Sequence, residues 1–152
     1  MAGEKVNIAN RKARFQYEIL EEFEAGIALA GSEVKSVRLG NISLSEAYCK
    51  FVDGELFLVD CRISPYKQAG AHTDLSPTRP RKLLLRAAQL KRLQQKVTTK
   101  GLTIVPLRVY NSGRLIKVEI GLARGKRVGD KRETIRRRDE EREARRFTKR
   151  HR

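Results

Sequence analysis

Three short clusters of basic residues carry the chemistry that this chain is best equipped to perform, which is the binding of phosphate groups. The clusters occupy residues 10–14 (NRKAR), 79–82 (RPRK) and 125–127 (GKR). Each lies at the end of a predicted strand or loop, where nucleic-acid-binding proteins place phosphate contacts. A solvated basic surface is the alternative for any single Lys or Arg, but three clusters at element ends favour binding.

The sequence offers no set of residues suited to catalysis. The Ser and Thr residues lack a nearby His, and the carboxylates are scattered or flanked by cations. Gly121 and Gly125 are not followed by the Lys-Ser/Thr pair of a phosphate-binding loop. Cys49 and Cys61 have no neighbouring His, so a zinc site is not expected. We therefore predict a protein that is not an enzyme and that needs no cofactor or metal.

The charge of the chain points to a polyanionic partner. The 152 residues include 34 Lys/Arg and 18 Asp/Glu, a formal net charge of +16 at pH 7. Half of that charge lies in residues 123–152, which hold fourteen Lys/Arg, six Asp/Glu and few apolar residues. Such a segment buries too little surface to offset the entropy lost on ordering, so we expect a tail that nucleic acid orders.

Membrane partners are not expected. No apolar run approaches the roughly 20 residues of a spanning helix. The N-terminal residues also lack the apolar stretch of a signal peptide. Together with two cysteines that are expected to stay reduced, these features favour a cytoplasmic protein.

Apolar periodicity predicts about six strands and two short helices. One strand is predicted over residues 15–20 with strand character resuming over 23–29, and others over 46–52, 55–63, 82–85, 102–110 and 115–122. Helices are predicted over 32–40 and 87–99. Within them, Ser32 is expected to cap the first helix and Gly40 to end it, Gly26 to mark a bulge or a close approach, and Pro106 to lie at an edge or bulge. Hairpin connections of this kind predict a mainly β protein with flanking short helices, a small antiparallel β-barrel of the oligonucleotide-binding type.

The domain organisation follows from the same patterns. Residues 1–14 are predicted to form a basic N-terminal arm, residues 15–125 the RNA-binding barrel, and residues 126–152 the basic tail. The Asp53-Gly54 pair predicts a two-residue hairpin turn that places Cys49 opposite Leu58. Since Cys49 is then not opposite Cys61, two buried thiols are expected rather than a disulfide.

Charges in the tail are spaced for a helix that forms on binding. Glu133 and Arg137 are (i, i+4) neighbours of opposite sign, whereas Arg132 and Arg136 repel at the same spacing. Such a helix is marginal in water, and RNA relieves the repulsion. The alternative is a tail that only keeps the protein soluble. The apolar Ile135 is evidence against that alternative.

Six motifs in fixed order complete the sequence evidence: NRKARFQYEI (10–19), EAGIALAGSEVKSVRLG (24–40), PTRPRKLLL (77–85), KGLTIVPLRVY (100–110), KVEIGLARGKR (117–127) and DKRETI (130–135). From about Asn10 to the C-terminus the chain resembles the SmpB family, the SsrA-binding proteins of bacteria. The resemblance implies an oligonucleotide-binding-type barrel that binds the tRNA-like domain of transfer-messenger RNA (tmRNA). It implies no catalytic activity.

The resemblance also implies a place in ribosome rescue. With elongation factor Tu, such proteins deliver tmRNA to ribosomes that have stalled without a codon in the decoding site. The barrel supports the elbow of the tRNA-like domain, and the tail enters the empty decoding centre and messenger channel as a helix. Translation then switches to the reading frame of tmRNA, whose tag marks the product for degradation. A monomer is expected.

The family motifs carry site residues over to this chain. Residues expected to bind tmRNA are Asn10, Arg11, Arg14, Tyr17, Glu24, Gly26, Lys35, Arg38, Leu84, Lys117, Gly125 and Lys126. Residues of the tail expected to bind the ribosome are Asp130, Lys131, Arg132, Ile135, Arg136 and Arg137. Glu24 is the unusual member because a carboxylate repels phosphate, and it either accepts a hydrogen bond from a base or orders basic neighbours. Arg86 and Gly129 depart from the family pattern, so no contact is assigned to them.

Two other functions fit parts of the sequence. A ribosomal or architectural RNA-binding protein, resident in a subunit, accounts equally well for a basic barrel with a basic tail. A small RNA-processing enzyme would require turnover of RNA that depends on one of the carboxylates.

Overall fold

The structure, a computed structural model, describes residues 5–66 and 75–126. Its elements in chain order are β1 (Asn7–Ala9), α1 (Arg11–Gln16), β2 (Tyr17–Ile27), α2 (Gly31–Arg38), β3 (Ile42–Ser43), β4 (Tyr48–Val52), β5 (Glu55–Val59), β6 (Arg62–Ile63), β7 (Arg81–Leu84), α3 (Ala87–Lys100), β8 (Thr103–Ser112) and β9 (Leu115–Gly125). Within the two described ranges, the helices are too short or too polar to cross a membrane.

Six strands pair into a closed ring. β4 pairs with β5, β5 with β7, β7 with β2 and β2 with β9, and β8 closes the ring by pairing with both β9 and β4. Every pairing is antiparallel. The predicted class, mainly β with short flanking helices, is confirmed, and the ring is the topology that a small antiparallel barrel requires. The oligonucleotide-binding type stays a prediction.

The main core lies inside this ring and follows the alternation of the strands. On β9, Val118 and Ile120 are fully buried, whereas Lys117 before them and Glu119 between them are partly exposed. Leu93 on the apolar side of α3 is buried in the same core. Removal of these side chains from water is the main contribution to stability. The outer faces carry polar residues, and on part of them Ala13 of α1 packs on Val105, Leu107 and Ala123 in a second, smaller buried cluster.

The predicted hairpin is confirmed in turn and in register. Asp53 and Gly54 have φ values of 51° and 78°, the conformation that Asp-Gly turns adopt between twisted strands. Cys49 pairs with Leu58, as predicted. Cys49 and Cys61 are buried free thiols, and burial raises the pKa of Cys61 to about 11.

The N-terminal residues correct the predicted arm. Asn7–Ala9 pair with β8, and Val6 is buried, with its N–H donating to Asn111 Oδ1 at 2.8 Å. Residues 11–16 form α1. The prediction of an arm over residues 1–14 is therefore wrong for residues 6–14, because apolar Val6 and the open edge of β8 anchor this segment to the barrel.

Strand β2 joins the two predicted stretches, residues 15–20 and 23–29, into one strand. It runs without a break from Tyr17 to Ile27, and a shift of its register with β9 between Ile19 and Glu21 marks the irregularity. Of the two alternatives predicted for Gly26, the structure shows the close approach. A Cβ at Gly26 would lie 3.3 Å from Leu84 Cβ.

Both predicted helices are confirmed, with one correction at a cap. Glu33 Oε1 accepts a hydrogen bond from the N–H of Ala30 at 2.9 Å, so Glu33 rather than Ser32 satisfies the start of α2. Gly40 follows α2 with a φ of 81°, and Gly101 follows α3 with a φ of 63°. These left-handed conformations end a helix at low cost only for glycine.

Strand β8 carries the predicted bulge at its proline. The register with β9 shifts between Pro106 and Arg108. Beyond the shift, β8 pairs with β9 on one side and with β1 on the other. The shift therefore sets which side chains of β8 face outward beside β9.

Gly121 on β9 is the position where we expect an added methyl group to cost most. A Cβ there would lie 3.0 Å from both Ile19 Cγ2 and Leu107 Cδ1. We expect Gly121→Ala to lower the free energy of unfolding by about 1–3 kcal/mol, because the packed side chains must shift. Urea unfolding measures the change. Gly125→Ala is the matched control, since nothing lies within 4 Å of a Cβ there; equal stability of the two variants would contradict the packing.

Candidate nucleic-acid interface

The outer face of β2, β9 and β8 brings together charged side chains from distant parts of the chain. Glu24 on β2 pairs in register with Glu119 on β9, and Lys117 on β9 pairs with Tyr110 on β8. Phe23, next to Glu24, is buried. Strand alternation therefore directs the four polar side chains to one outward surface.

Seven side chains on this surface form a connected set of contacts, which we call the outer network: Arg14, Glu22, Glu24, Arg108, Tyr110, Lys117 and Glu119. At one end, Arg14 of α1 lies 3.2 Å from Glu22 and 3.7 Å from Glu119. Arg108 Nε donates to Glu119 Oε2 at 2.7 Å. The guanidinium carbon of Arg108 lies 4.2 Å from the ring centre of Tyr110.

Glu24 connects the other end of the outer network. The hydroxyl of Tyr110 donates to Glu24 Oε2 at 2.5 Å, and Lys117 Nζ lies 3.8 Å from Glu24 Oε1. Glu24 thus orders its neighbours, which is one of the two roles that the sequence left open. Its side chain is 58% exposed, which leaves room for the second role, accepting a hydrogen bond from a base.

The contacts of the outer network also shift its pKa values. The hydrogen bond to Glu119 raises the pKa of Arg108. Burial alone would raise the pKa of Glu119, but hydrogen bonds with Arg108 and Glu22 and the charges of Arg108 and Arg14 together outweigh it, and the pKa is lowered. Burial, followed by the hydrogen bond to Glu24, raises the pKa of Tyr110 to about 12, so its hydroxyl remains a donor at neutral pH.

A shallow pocket of about 370 Å³ lies beside Lys117. Its lining includes three predicted RNA-binding residues, Gly26, Leu84 and Lys117. Arg114 and Leu115, which the sequence did not single out, also line it. The side chain of Arg38, on α2, donates a hydrogen bond to the backbone carbonyl of Arg114, a lining residue of this pocket, at 3.0 Å. Lys35, on the same helix, lies with Nζ 5.4 Å from the ring centre of Tyr66.

The remaining predicted residues of the barrel gather at the far end of the β2–β9 ladder. Tyr17 pairs with Gly125, and the N–H of Lys126 donates to the carbonyl of Gln16 at 3.0 Å. Arg11 lies exposed on α1, the helix that carries Arg14. Tyr17 and Gly125 thus lie at one end of this ladder and Gly26 and Lys117 at the other, and the outer network, which includes Lys117, extends between the two ends.

Asn10 differs from the other predicted residues because it is buried, with 5% of its surface exposed. Its Oδ1 accepts a hydrogen bond from the N–H of Ala13 and caps α1. Its Nδ2 donates to the carbonyls of Leu44 and Pro106 at 3.1 and 2.9 Å. Asn10 therefore holds α1, with its exposed arginines, on the barrel.

The basic cluster at residues 79–82 corrects the sequence interpretation. Arg81 is 1% exposed, lies 2.7 Å from Glu33 and donates to the carbonyl of Cys61 at 2.5 Å. Arg79 also pairs with Glu33. Lys82 is exposed and lies 3.1 Å from Glu55. Since the two arginines neutralise a buried carboxylate between α2 and β7, the cluster is structural rather than a display of phosphate contacts.

Some predicted features lie outside the described residues. These are the six tail residues Asp130, Lys131, Arg132, Ile135, Arg136 and Arg137. Across residues 5–66 and 75–126, no group of three or more His, Cys, Asp and Glu side chains could hold a metal ion.

Sequence reasoning missed four members of the outer network: Glu22, Arg108, Tyr110 and Glu119. Arg108 and Tyr110 share a strand at a spacing of two residues, which places both on one face. From that spacing the sequence could have predicted that these two side chains are neighbours on the surface. Their partners Glu119 and Glu24 are identified only by the register of three strands.

Comparison with known proteins identifies the family. The sequence model described as SmpB protein matches residues 7–150. The SsrA-binding protein of Solidesulfovibrio magneticus is 52% identical over 150 residues, covering 99% of this chain and 97% of the relative. That of Chloroflexus aggregans is 52% identical over 141 residues, covering 93% and 89%.

A solved structure is similar as well. One of its chains, described with the words "tmRNA-SmpB: a journey to the center of the bacterial ribosome", is 49% identical with a TM-score of 0.66. The similarity covers 86% of this chain and 95% of that one. By sequence and by fold, this chain belongs to the SmpB family.

Proposed function

We propose that this protein is a trans-translation factor that binds the tRNA-like domain of tmRNA and brings it to stalled ribosomes. The observation that carries the proposal is the outer face of β2, β9 and β8 in a member of the SmpB family, where Arg14, Arg108 and the partly exposed Lys117 lie in one network of contacts with Glu24. Phosphate contacts from Lys and Arg supply affinity, and the fixed geometry of a barrel supplies recognition by shape.

The proposal divides the work between the barrel and the tail. Lys117, Arg38 and the exposed arginines of α1 contact the RNA, while Asn10 holds α1 in position. Residues 126–152 bind the decoding centre, with Lys131 and Arg132 on rRNA phosphates and Asp130 at the positive end of an induced helix. Neither part performs catalysis.

The partners follow from this division. Elongation factor Tu accompanies the complex of protein and tmRNA to the ribosome, and the protein acts as a monomer in the cytoplasm.

Replacement of Lys117 tests the proposed face. We expect Lys117→Gln to weaken binding to the tRNA-like domain about 3- to 10-fold and to reduce the salt slope by about one, because one phosphate contact is lost. Binding titrations at several salt concentrations measure both. The matched control is Lys50→Gln, since Lys50 is exposed on β4, across the ring from β2. Equal losses for the two variants would mean that the basic surface acts only by its total charge.

A further inference from the structure

Arg108 and Tyr110 form a flat, ordered surface at the centre of the outer network. The guanidinium carbon of Arg108 lies 4.2 Å from the ring centre of Tyr110, a distance at which the cation rests on the ring. Both residues belong to β8 and share its outer face. The Arg108 side chain remains 39% exposed, although Tyr110 covers one side of it.

Both side chains are held from behind before any ligand arrives. Glu119 accepts from Arg108 Nε at 2.7 Å, and Glu24 accepts from the Tyr110 hydroxyl at 2.5 Å. An arginine usually loses much rotamer freedom when it binds, and here the fold has already imposed that loss. A ligand that uses this surface therefore binds to a preorganised group.

The chemistry of the surface fits an unpaired nucleobase. Guanidinium planes and aromatic rings are the groups on which proteins stack unpaired RNA bases. Arg14 and Lys117 flank the surface and suit the phosphates on either side of such a base. The exposed carboxylate of Glu24 suits a base amino group at its edge.

We propose that Arg108, stacked on Tyr110, is a platform for one unpaired base of the bound RNA and that it contributes to the choice of RNA. The proposal rests on the proposed function, since it assigns the base to the tRNA-like domain of tmRNA. It differs from a phosphate contact because it depends on the plane of the side chain and not on its charge alone.

Arg108→Lys separates the plane from the charge. We expect this variant to bind the tRNA-like domain about tenfold more weakly than the wild type, with an unchanged salt slope, because stacking is lost and the charge is kept. Tyr110→Leu, which removes the ring, should cause a similar loss. The matched control is Arg92→Lys, since Arg92 on α3 is also exposed and lies 3.0 Å from Glu21; it should bind within twofold of the wild type.

Two readouts separate a platform from a structural role. Urea unfolding of Arg108→Lys should match that of the wild type, because a lysine keeps the ion pair with Glu119. An abasic substitution at the unpaired position that stacks should weaken binding to the wild type about tenfold and leave binding to Arg108→Ala unchanged, because the base and the side chain lose the same contact.

The platform is overturned if Arg108→Lys binds as tightly as the wild type, or if no abasic substitution in the tRNA-like domain shows a loss that depends on Arg108. The proposed function fails by a different result, which is a wild-type protein that does not prefer the tRNA-like domain to an elongator tRNA. In that event the same Arg108→Lys comparison on the elongator tRNA decides the platform, since equal affinities there also exclude it.

Discussion

Removal of residues 130–152 is expected to abolish tagging on stalled ribosomes and to leave binding of the tRNA-like domain within a few-fold of that of the full chain. The barrel carries the proposed RNA contacts, whereas the removed segment holds Asp130, Lys131 and Arg132, which we assign to the ribosome. Tagging in a reconstituted translation reaction and binding to the isolated tRNA-like domain are the two measurements.

The removed segment contributes positive charge, so a matched control is needed. A chain in which residues 130–152 are scrambled keeps the charge and the composition but loses the order of the motif. We expect it to bind RNA like the full chain and to fail in tagging. Loss of RNA binding in both variants would contradict the division of work between barrel and tail.

Glu33→Gln is expected to cost about 3–5 kcal/mol of the free energy of unfolding, because it leaves the buried Arg81 without its counter-charge. Glu33 is 5% exposed and pairs with both Arg79 and Arg81. Urea unfolding at pH 7 measures the loss. The matched control, Glu55→Gln, removes the exposed pair with Lys82 and should cost less than about 1 kcal/mol. A similar cost for both variants would show that the buried pair gives no special stability.

The same pair predicts a dependence on pH. Burial tends to raise the pKa of Glu33, but hydrogen bonds from Arg79, from the N–H of Ala30 and from Arg81 outweigh it, so the pKa lies below the ordinary value of 4.5. A carboxyl with a lowered pKa in the folded state adds stability above its unfolded pKa, and this stability is lost as the pH falls through the folded value. The stability difference between wild type and Glu33→Gln should therefore be full at pH 7 and shrink below about pH 4.5. A difference that does not change with pH would contradict this account.

Elements that depend on neighbours in sequence could be predicted from the sequence. The Asp53-Gly54 turn needs two adjacent residues that tolerate positive φ, and its length then sets the register of Cys49 with Leu58. Helix α3 follows from the spacing of its apolar residues and ends at Gly101. In both cases the information lies within a few residues.

Features that depend on partners far away in the sequence could not be predicted from it. Asn7–Ala9 lie in a stretch whose charged residues are typical of an arm, and only the open edge of β8, about a hundred residues later, makes them a strand. The sequence predicts Arg81 to be a surface cation, because nothing near it in the chain shows that Glu33 pairs with it. The hydrogen bond between Tyr110 and Glu24 likewise joins residues whose proximity is set by β9 between them.

Binding of the purified full chain to the tRNA-like domain of tmRNA, with an elongator tRNA as competitor at several salt concentrations, tests the central claim most directly. We predict tight binding that the elongator tRNA does not displace, because the outer network offers a fixed arrangement of groups and not only positive charge. Equal binding of both RNAs, with the same steep dependence on salt, would contradict the claim and favour a ribosomal or architectural RNA-binding protein.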